Sequence, residues 1–298
     1  MKVHLVDGTY ELFRHHFGVP AAQRDDSDVA ATRGVLGSVL QLLEEGATHV
    51  GVATDHVIES FRNDKWPTYK SSVGMPEVLL NQFGLLEEAL TAMGVVVFPM
   101  VELEADDALA AAAVTAAADP RVEQVLIMTP DKDLAQCVKG QKVVQVDRRQ
   151  GITTDEAGVK AKYGVEPESI PDWLGLVGDS ADGYPGLKGW GKVAASAVLA
   201  RYRHLEEIPE FGFRWDVEVR GRDRLASTLV EQRDEAYLFR DLATLRADEA
   251  LFEDVDTLRW TGPRPGFDEM ARNLRAGRLA ERAEAAAAKR AGPADDLT

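Results

Sequence analysis

Only one cysteine, Cys137, occurs in 298 residues, so neither an intrachain disulfide nor a thiolate metal cage can form. Apolar runs are short, and none approaches the roughly 18 residues that a spanning helix needs. The opening Met1-Lys2-Val3-His4-Leu5-Val6-Asp7-Gly8 lacks the long apolar stretch of a signal peptide. A reducing, cytoplasmic setting is the resulting expectation. Histidine is scarce at six residues, which leaves few nitrogen ligands for a metal. Positive charge is also scarce: 34 Lys and Arg face 50 Asp and Glu, a formal net charge of −16. Polynucleotide binders usually carry a basic footprint, and this chain has no global one. Most of the acidic excess lies in residues 1–200, where 29 acids face 17 bases.

Hydrophobic residues make up 45% of the chain, enough for a sizeable folded core. Short apolar runs at Val3–Val6, His49–Thr54, Val95–Phe98 and Val125–Thr129 read as strands, and Val143–Val146 as a further one. Helical spacing fills the intervals at Val29–Glu45, Pro76–Met93 and Ala105–Ala118, with Gly46 and Gly94 placed as helix ends. This alternation predicts an α/β fold with a parallel sheet flanked by helices. Beyond about residue 153 the pattern turns to helices: Ile170–Val177, Lys192–Tyr202, a single long helix over Leu225–Arg246, and 276–290. Gly292–Thr298 reads as a disordered end.

The aspartates fall where the strands end. Asp7 and Asp55 close the first two strands, and Asp131 and Asp133 follow the fourth. Strand C-termini of an open parallel sheet share one edge, the usual ligand-binding edge. Glu104, Asp106 and Asp107 open a helix, and Asp179 and Asp182 stand three apart; both groups can join that edge, although acids at helix starts are also ordinary caps. Nine carboxylates on one edge repel unless cations are present, and an oxygen-only donor set suits Mg²⁺ or Mn²⁺. Two other readings fit less well. The aspartyl-phosphatase run Asp-x-Asp-Gly-Thr is broken by Leu5, and the Gly186–Lys192 segment follows no strand and has Val193 where a phosphate loop needs a hydroxyl.

Five ordered motifs carry a resemblance. They are Val6-Asp7-Gly8-Thr9 with Phe13-Arg14, Asp55 with Phe61-Arg62 and Tyr69-Lys70, and Glu104-Ala105-Asp106-Asp107. Thr129-Pro130-Asp131-Lys132-Asp133-Leu134 follows, then the glycine-rich run from Gly178 to Gly191. From about residue 2 to 255 the chain resembles the 5′-nuclease family of 5′–3′ exonucleases and flap endonucleases, which includes the front domain of bacterial DNA polymerase I. The resemblance implies a PIN-like nuclease domain over 1–165, a helical region with a helix–hairpin–helix over 166–262, and a helical extension and tail over 263–298. It implies two Mg²⁺ or Mn²⁺ ions held by Asp7, Asp55, Glu104, Asp106, Asp107, Asp131, Asp133, Asp179 and Asp182.

Lys70 and Arg14 would contact the scissile phosphate. Arg62, Tyr69, Gly186, Lys188, Gly189, Gly191 and Lys192 would contact DNA, with Tyr69 stacking on a terminal base and K⁺ at the hairpin. The implied partner is DNA with 5′ flaps, 5′ ends or branches, bound by a monomer. Pro130, Val73 and Lys192-Val193-Ala194 depart from the family pattern. A PIN-type ribonuclease and a non-catalytic DNA-structure binder are the competing readings; the segment carrying Asp179 and Asp182 disfavours the first, the complete acid set the second.

Overall fold

The computed structural model describes residues 1–18 and 29–291. The expected disordered end at 292–298 lies outside the described residues. The chain runs β1 (Lys2–Asp7), α1 (Gly8–Phe17), α2 (Ala30–Glu44), β2 (His49–Asp55), α3 (Phe61–Lys65), α4 (Glu77–Leu80), α5 (Gln82–Ala92) and β3 (Val96–Met100). It continues with α6 (Ala105–Ala118), β4 (Gln124–Met128), β5 (Val143–Asp147), β6 (Ile152–Thr154), α7 (Glu156–Tyr163) and α8 (Ile170–Val177). The last helices are α9 (Lys192–Tyr202), α10 (Arg222–Glu231), α11 (Arg233–Ala243), α12 (Phe267–Asn273) and α13 (Arg278–Ala291).

The sheet order is β3-β2-β1-β4-β5-β6, parallel from β3 to β5 with β6 antiparallel at the edge. Every residue of β2 is buried, as a strand covered on both faces requires. Alternate residues serve the two faces: Val6, Val50 and Val52 pack with α2 and α5, whereas Val3, Leu5 and Ala53 pack with α6. After β1 the chain builds outward through β2 and β3, then crosses back to lay β4 on the other side of β1. This reversal opens a crevice at the C-terminal ends of β1 and β4, the topological switch point where open α/β sheets bind ligands.

Two expectations need correction. The helix expected over Leu225–Arg246 is two helices, α10 and α11, broken at Gln232 (φ −114°, ψ 32°). Buried Leu229 and Ala236 lie seven residues apart, so the apolar phase continues across the break and the pattern cannot report it. The helix expected over Pro76–Met93 is divided at Asn81 into α4 and α5. The short edge strand β6 was not anticipated.

The segment after residue 259 returns to the sheet side. Trp260 Nε1 donates to the Met93 carbonyl (2.8 Å), and Phe267, Ala271, Ala280 and Ala283 join the core under α2 and α5. Arg282 grips Glu44 through two bonds (2.9 and 2.6 Å), and Arg290 donates to the Leu43 and Ala47 carbonyls (2.5 and 2.6 Å) at the end of α2. Arg290→Ala leaves those helix-end carbonyls without that donor and is expected to lower stability by about 1–2 kcal/mol, read as a lower urea midpoint at unchanged m-value.

Candidate metal centre

Asp7 caps α1 by accepting from the Tyr10 N–H (2.8 Å), and its other oxygen accepts from the Thr129 hydroxyl (2.9 Å). Thr129 thereby ties the end of β1 to the turn after β4, across the switch point. The same hydroxyl accepts from the Asp131 N–H (3.2 Å), and Asp131 Oδ1 accepts from the Asp133 N–H (2.9 Å). Asp55 accepts from the Ala105 N–H (2.7 Å), which fixes the start of α6 against β2. Glu104 receives the Ser60 hydroxyl (2.6 Å) on one oxygen and lies 2.5 Å from Lys70 Nζ on the other.

The helical region supplies the remaining acids. Asp179 and Tyr184 exchange backbone hydrogen bonds (2.8 and 3.0 Å), closing a tight loop. At its neck Gly178 and Gly186 pass backbone to backbone: a Cβ on Gly178 would lie 2.5 Å from the Gly186 nitrogen, and both have positive φ (83° and 66°). The loop docks on segment 66–70. The Gly183 carbonyl accepts from Trp66 Nε1 (3.0 Å) and the Thr68 hydroxyl (3.1 Å), and the Lys70 N–H donates to the Asp182 carbonyl (3.1 Å). Asp133, Asp179 and Asp182 each bring one oxygen within 4.8 Å of the others.

Burial and mutual repulsion govern the protonation of these acids. Burial, reinforced by Asp55 and Asp131, pushes Asp7 up to about 7 against its hydrogen bonds. Asp182 also rises to about 7 through burial, with Asp179, Asp131 and Glu104 adding and Lys70 opposing. Asp106 and Asp133 rise well above the usual carboxylate range, through burial first and Asp131 next. Burial also raises Asp55, whereas Lys70 and Arg62 outweigh it at Glu104 and hold that carboxyl below its ordinary value. Two ammonium groups offset part of the charge: Lys70 at Glu104 and Lys132 at Asp179. Lys132, between Asp131 and Asp133 in the chain, was not assigned a role from sequence; its place in an Asp-Lys-Asp run was the available signal. Asp133 Oδ1 is buried with no hydrogen-bond partner among the described residues. An orphaned carboxylate oxygen beside two further carboxylates, in an oxygen-only donor set, fits a divalent cation.

Four assignments change. Asp107, expected as a ligand, has both oxygens occupied: one accepts from Arg62 Nη1 (2.7 Å) and the Glu104 N–H (2.9 Å), the other from Arg62 Nη2 (2.8 Å) and the Arg246 N–H (2.8 Å). Arg62, expected on DNA, is 1% exposed and also donates to the Leu242 and Thr244 carbonyls (2.8 and 3.1 Å). Tyr69, expected to stack on a base, is buried among the helices of the second region. Arg14 does not reach the acids: it pairs with Glu11 (2.5 Å), itself bonded to Ser38 of α2. It lies roughly 10 Å along α1 from Asp7 at 1.5 Å per residue.

The hairpin between α8 and α9 exposes Lys188, Gly189, Gly191 and Lys192, with Gly186 half-buried at its base. Trp190 is its buried plug, donating to the Leu225 carbonyl (3.2 Å). A groove of about 520 Å³ lined by Lys132, Asp179, Tyr184 and Lys192 joins the acids to the start of α9.

Residues 2–164 match the family described as "5′-3′ exonuclease, N-terminal resolvase-like domain", and residues 165–266 match its "C-terminal SAM fold". The chain belongs to the 5′–3′ exonuclease family. Curated relatives include the DNA polymerases I of Pseudomonas aeruginosa, 33% identical over 265 residues, and Bacillus subtilis, 32% identical over 268. These alignments cover 85% and 88% of this chain but only 28% and 30% of those polymerases. Among solved structures, the zinc-bound 5′-exonuclease of phage T5 has a TM-score of 0.66 at 18% identity, covering 94% of this chain and all of that one. The catalytic core of Rad2 in complex with DNA substrate has a TM-score of 0.63 at 15% identity, covering 96% and 92%. These two likenesses establish the shared fold. Among the described residues of this exonuclease-family chain, no helix is long and apolar enough to cross a membrane.

Proposed function

We propose that this chain is a structure-specific 5′ nuclease that hydrolyses DNA phosphodiester bonds as a 5′–3′ exonuclease, a flap endonuclease or both. It acts as a monomer in the cytoplasm with two Mg²⁺ or Mn²⁺ ions. The observation that carries this reading is the acid cluster built from both regions, with Asp133 Oδ1 left unpartnered inside it. Asp7, Asp55, Glu104, Asp106 and Asp131 would hold one ion, and Asp133, Asp179 and Asp182 the other. When bound, the ions neutralise phosphate charge and acidify the attacking water.

The chain's own groups do the rest. Lys70, held on the docked 66–70 segment, has its ammonium at the edge of the cluster and takes a non-bridging phosphate oxygen as the backbone enters. The hairpin, exposed at Gly189 and Gly191 and half-buried at Gly186, would offer backbone groups to a second phosphodiester and could hold K⁺ there, with Lys188 and Lys192 flanking it. Lys70→Ala is expected to cut the single-turnover cleavage rate about 10²–10³-fold, the usual scale for a lost charge-stabilising donor, while DNA affinity changes little.

A labelled 5′-flap DNA, a blunt duplex and a single-stranded RNA, each with Mg²⁺, Mn²⁺ or a chelator, test the reading. Cleavage of the flap or the duplex 5′ end only with metal is the expected result. Metal-independent cleavage, or cleavage confined to RNA, overturns it.

A further inference from the structure

A second patch of positive charge stands beside the hairpin tip. A Cβ placed on Gly189 would lie 3.8 Å from Arg224 Nη2, so the Arg224 guanidinium flanks the hairpin tip. Arg220 and Arg222 stand on the same short stretch, either side of Gly221, and together with Arg224 line a surface hollow over residues 218–224. The 211–214 turn packs directly behind, since a Cβ on Gly212 would lie 2.8 Å from the Arg222 carbonyl carbon. There Phe211 and Phe213, 51% and 68% exposed, stack on each other (centroids 5.6 Å apart, 24° between planes). The Arg214 guanidinium lies over both rings, 5.5 and 5.9 Å from their centroids.

Two features separate this patch from ordinary charged surface. Arg62, Arg121 and Arg240 each hold two or more carboxylates, yet among the described residues Arg220, Arg222 and Arg224 make no ion pair, even with Glu218 and Asp223 beside them. Unpaired guanidiniums in a chain of net charge −16 are available to an external anion. Exposed phenylalanines that stack with one another and carry an arginine on their faces fix that guanidinium's plane, which lowers the ordering cost of a bidentate phosphate contact.

We propose that Arg220, Arg222 and Arg224, with Arg214 on its Phe211–Phe213 platform, form a second phosphate-binding surface for the duplex arm of the DNA beyond the hairpin. This rests on the nuclease reading for the identity of the polyanion. The surface grips backbone, carries no base readout, and lengthens the contact along the duplex away from the cleaved bond.

Fluorescence anisotropy of the full chain in EDTA tests it, with flap DNAs whose duplex arm spans one or two helical turns. Arg220→Ala, Arg222→Ala and Arg224→Ala combined are expected to weaken binding of the two-turn arm about tenfold and to lower the salt slope by about two to three, near 0.9 per lost phosphate contact. The one-turn arm should bind almost as before. The combined Arg→Lys variant should keep most of the slope, and Phe211→Ala with Phe213→Ala should weaken the two-turn arm roughly threefold by freeing Arg214. Unchanged affinity and slope in the triple Ala variant, or an equal loss on both arms, overturns the proposal. Cleavage by the unmodified chain is read in parallel. Cleavage with intact binding in the triple variant defeats this surface alone; lost binding without cleavage in the unmodified chain defeats the nuclease reading and leaves the surface standing.

Discussion

Asp131→Asn should abolish cleavage while making the metal-free protein more stable. Asp131 contributes to raising Asp7, Asp106, Asp133 and Asp182, so its charge bears on acids from both halves of the cluster. Removing it relieves four repulsions and removes one of the proposed metal ligands. Cleavage is expected to fall about 10³-fold or more, equivalent to about 4 kcal/mol or more of transition-state stabilisation. Without divalent ions, the melting temperature should rise by a few degrees, at roughly 2 °C per kcal/mol for a chain of this size.

The pH dependence follows the same logic. Asp7 binds its proton more tightly in the folded state, at about 7 against 3.8 when unperturbed, so the folded protein carries more protons than the unfolded one between those values. Stability of the metal-free protein therefore falls as pH rises from about 4 to about 7. Mn²⁺ or Mg²⁺ should restore it most at the alkaline end. Thermal melts at pH 5 and pH 8, with and without Mn²⁺, read both effects. A lower melting temperature for metal-free Asp131→Asn, or normal turnover, would show that Asp131 is not in the cluster's charge balance.

Arg62→Ala should be the most damaging single change to the fold. The guanidinium makes two parallel bonds to Asp107, a third to Glu104 (3.2 Å), and two to carbonyls at the end of α11 and just beyond. It joins α3, the start of α6 and the close of α11. Its removal leaves Asp107 buried with an uncompensated charge, which costs about 3–5 kcal/mol. On the order of 10 °C in melting temperature is expected. Arg62→Lys should recover little, because an ammonium cannot reproduce the two-pronged bond to Asp107 while reaching two carbonyls. Urea unfolding of both variants measures this, and a loss within about 1 kcal/mol would place Arg62 among ordinary surface charges.

The acid cluster was legible because it follows from strand position: a residue just past a parallel strand has only one edge to occupy, and Asp7, Asp55 and Asp131 each obey that. Asp107 was misjudged for the opposite reason. It shares a motif with Glu104 and Asp106, but one helical residue further turns it into the protein, where a guanidinium some 45 residues earlier in the chain claims both oxygens. No local pattern announces a partner at that separation. Arg62 and Tyr69 look like surface residues in sequence because their charge and hydroxyl are visible and their burial is not. The break at Gln232 was hidden by phase, and β6 by its three-residue length.

The union of segment 66–70 with the 179–184 loop bears on how the protein is made. During synthesis the sheet strands through β5 emerge first and present Asp7, Asp55 and Asp131, but Asp179 and Asp182 do not yet exist. Lys70 then lacks the carbonyl that receives its N–H, and Gly183 has not arrived to accept Trp66 and Thr68. A nascent chain thus holds an incomplete acid cluster, and the segment that carries Lys70 lacks the loop it docks on. Completion of the acid cluster is timed to the folding of the second region, so an incomplete translation product lacks the assembled site on which the proposed cleavage of DNA depends.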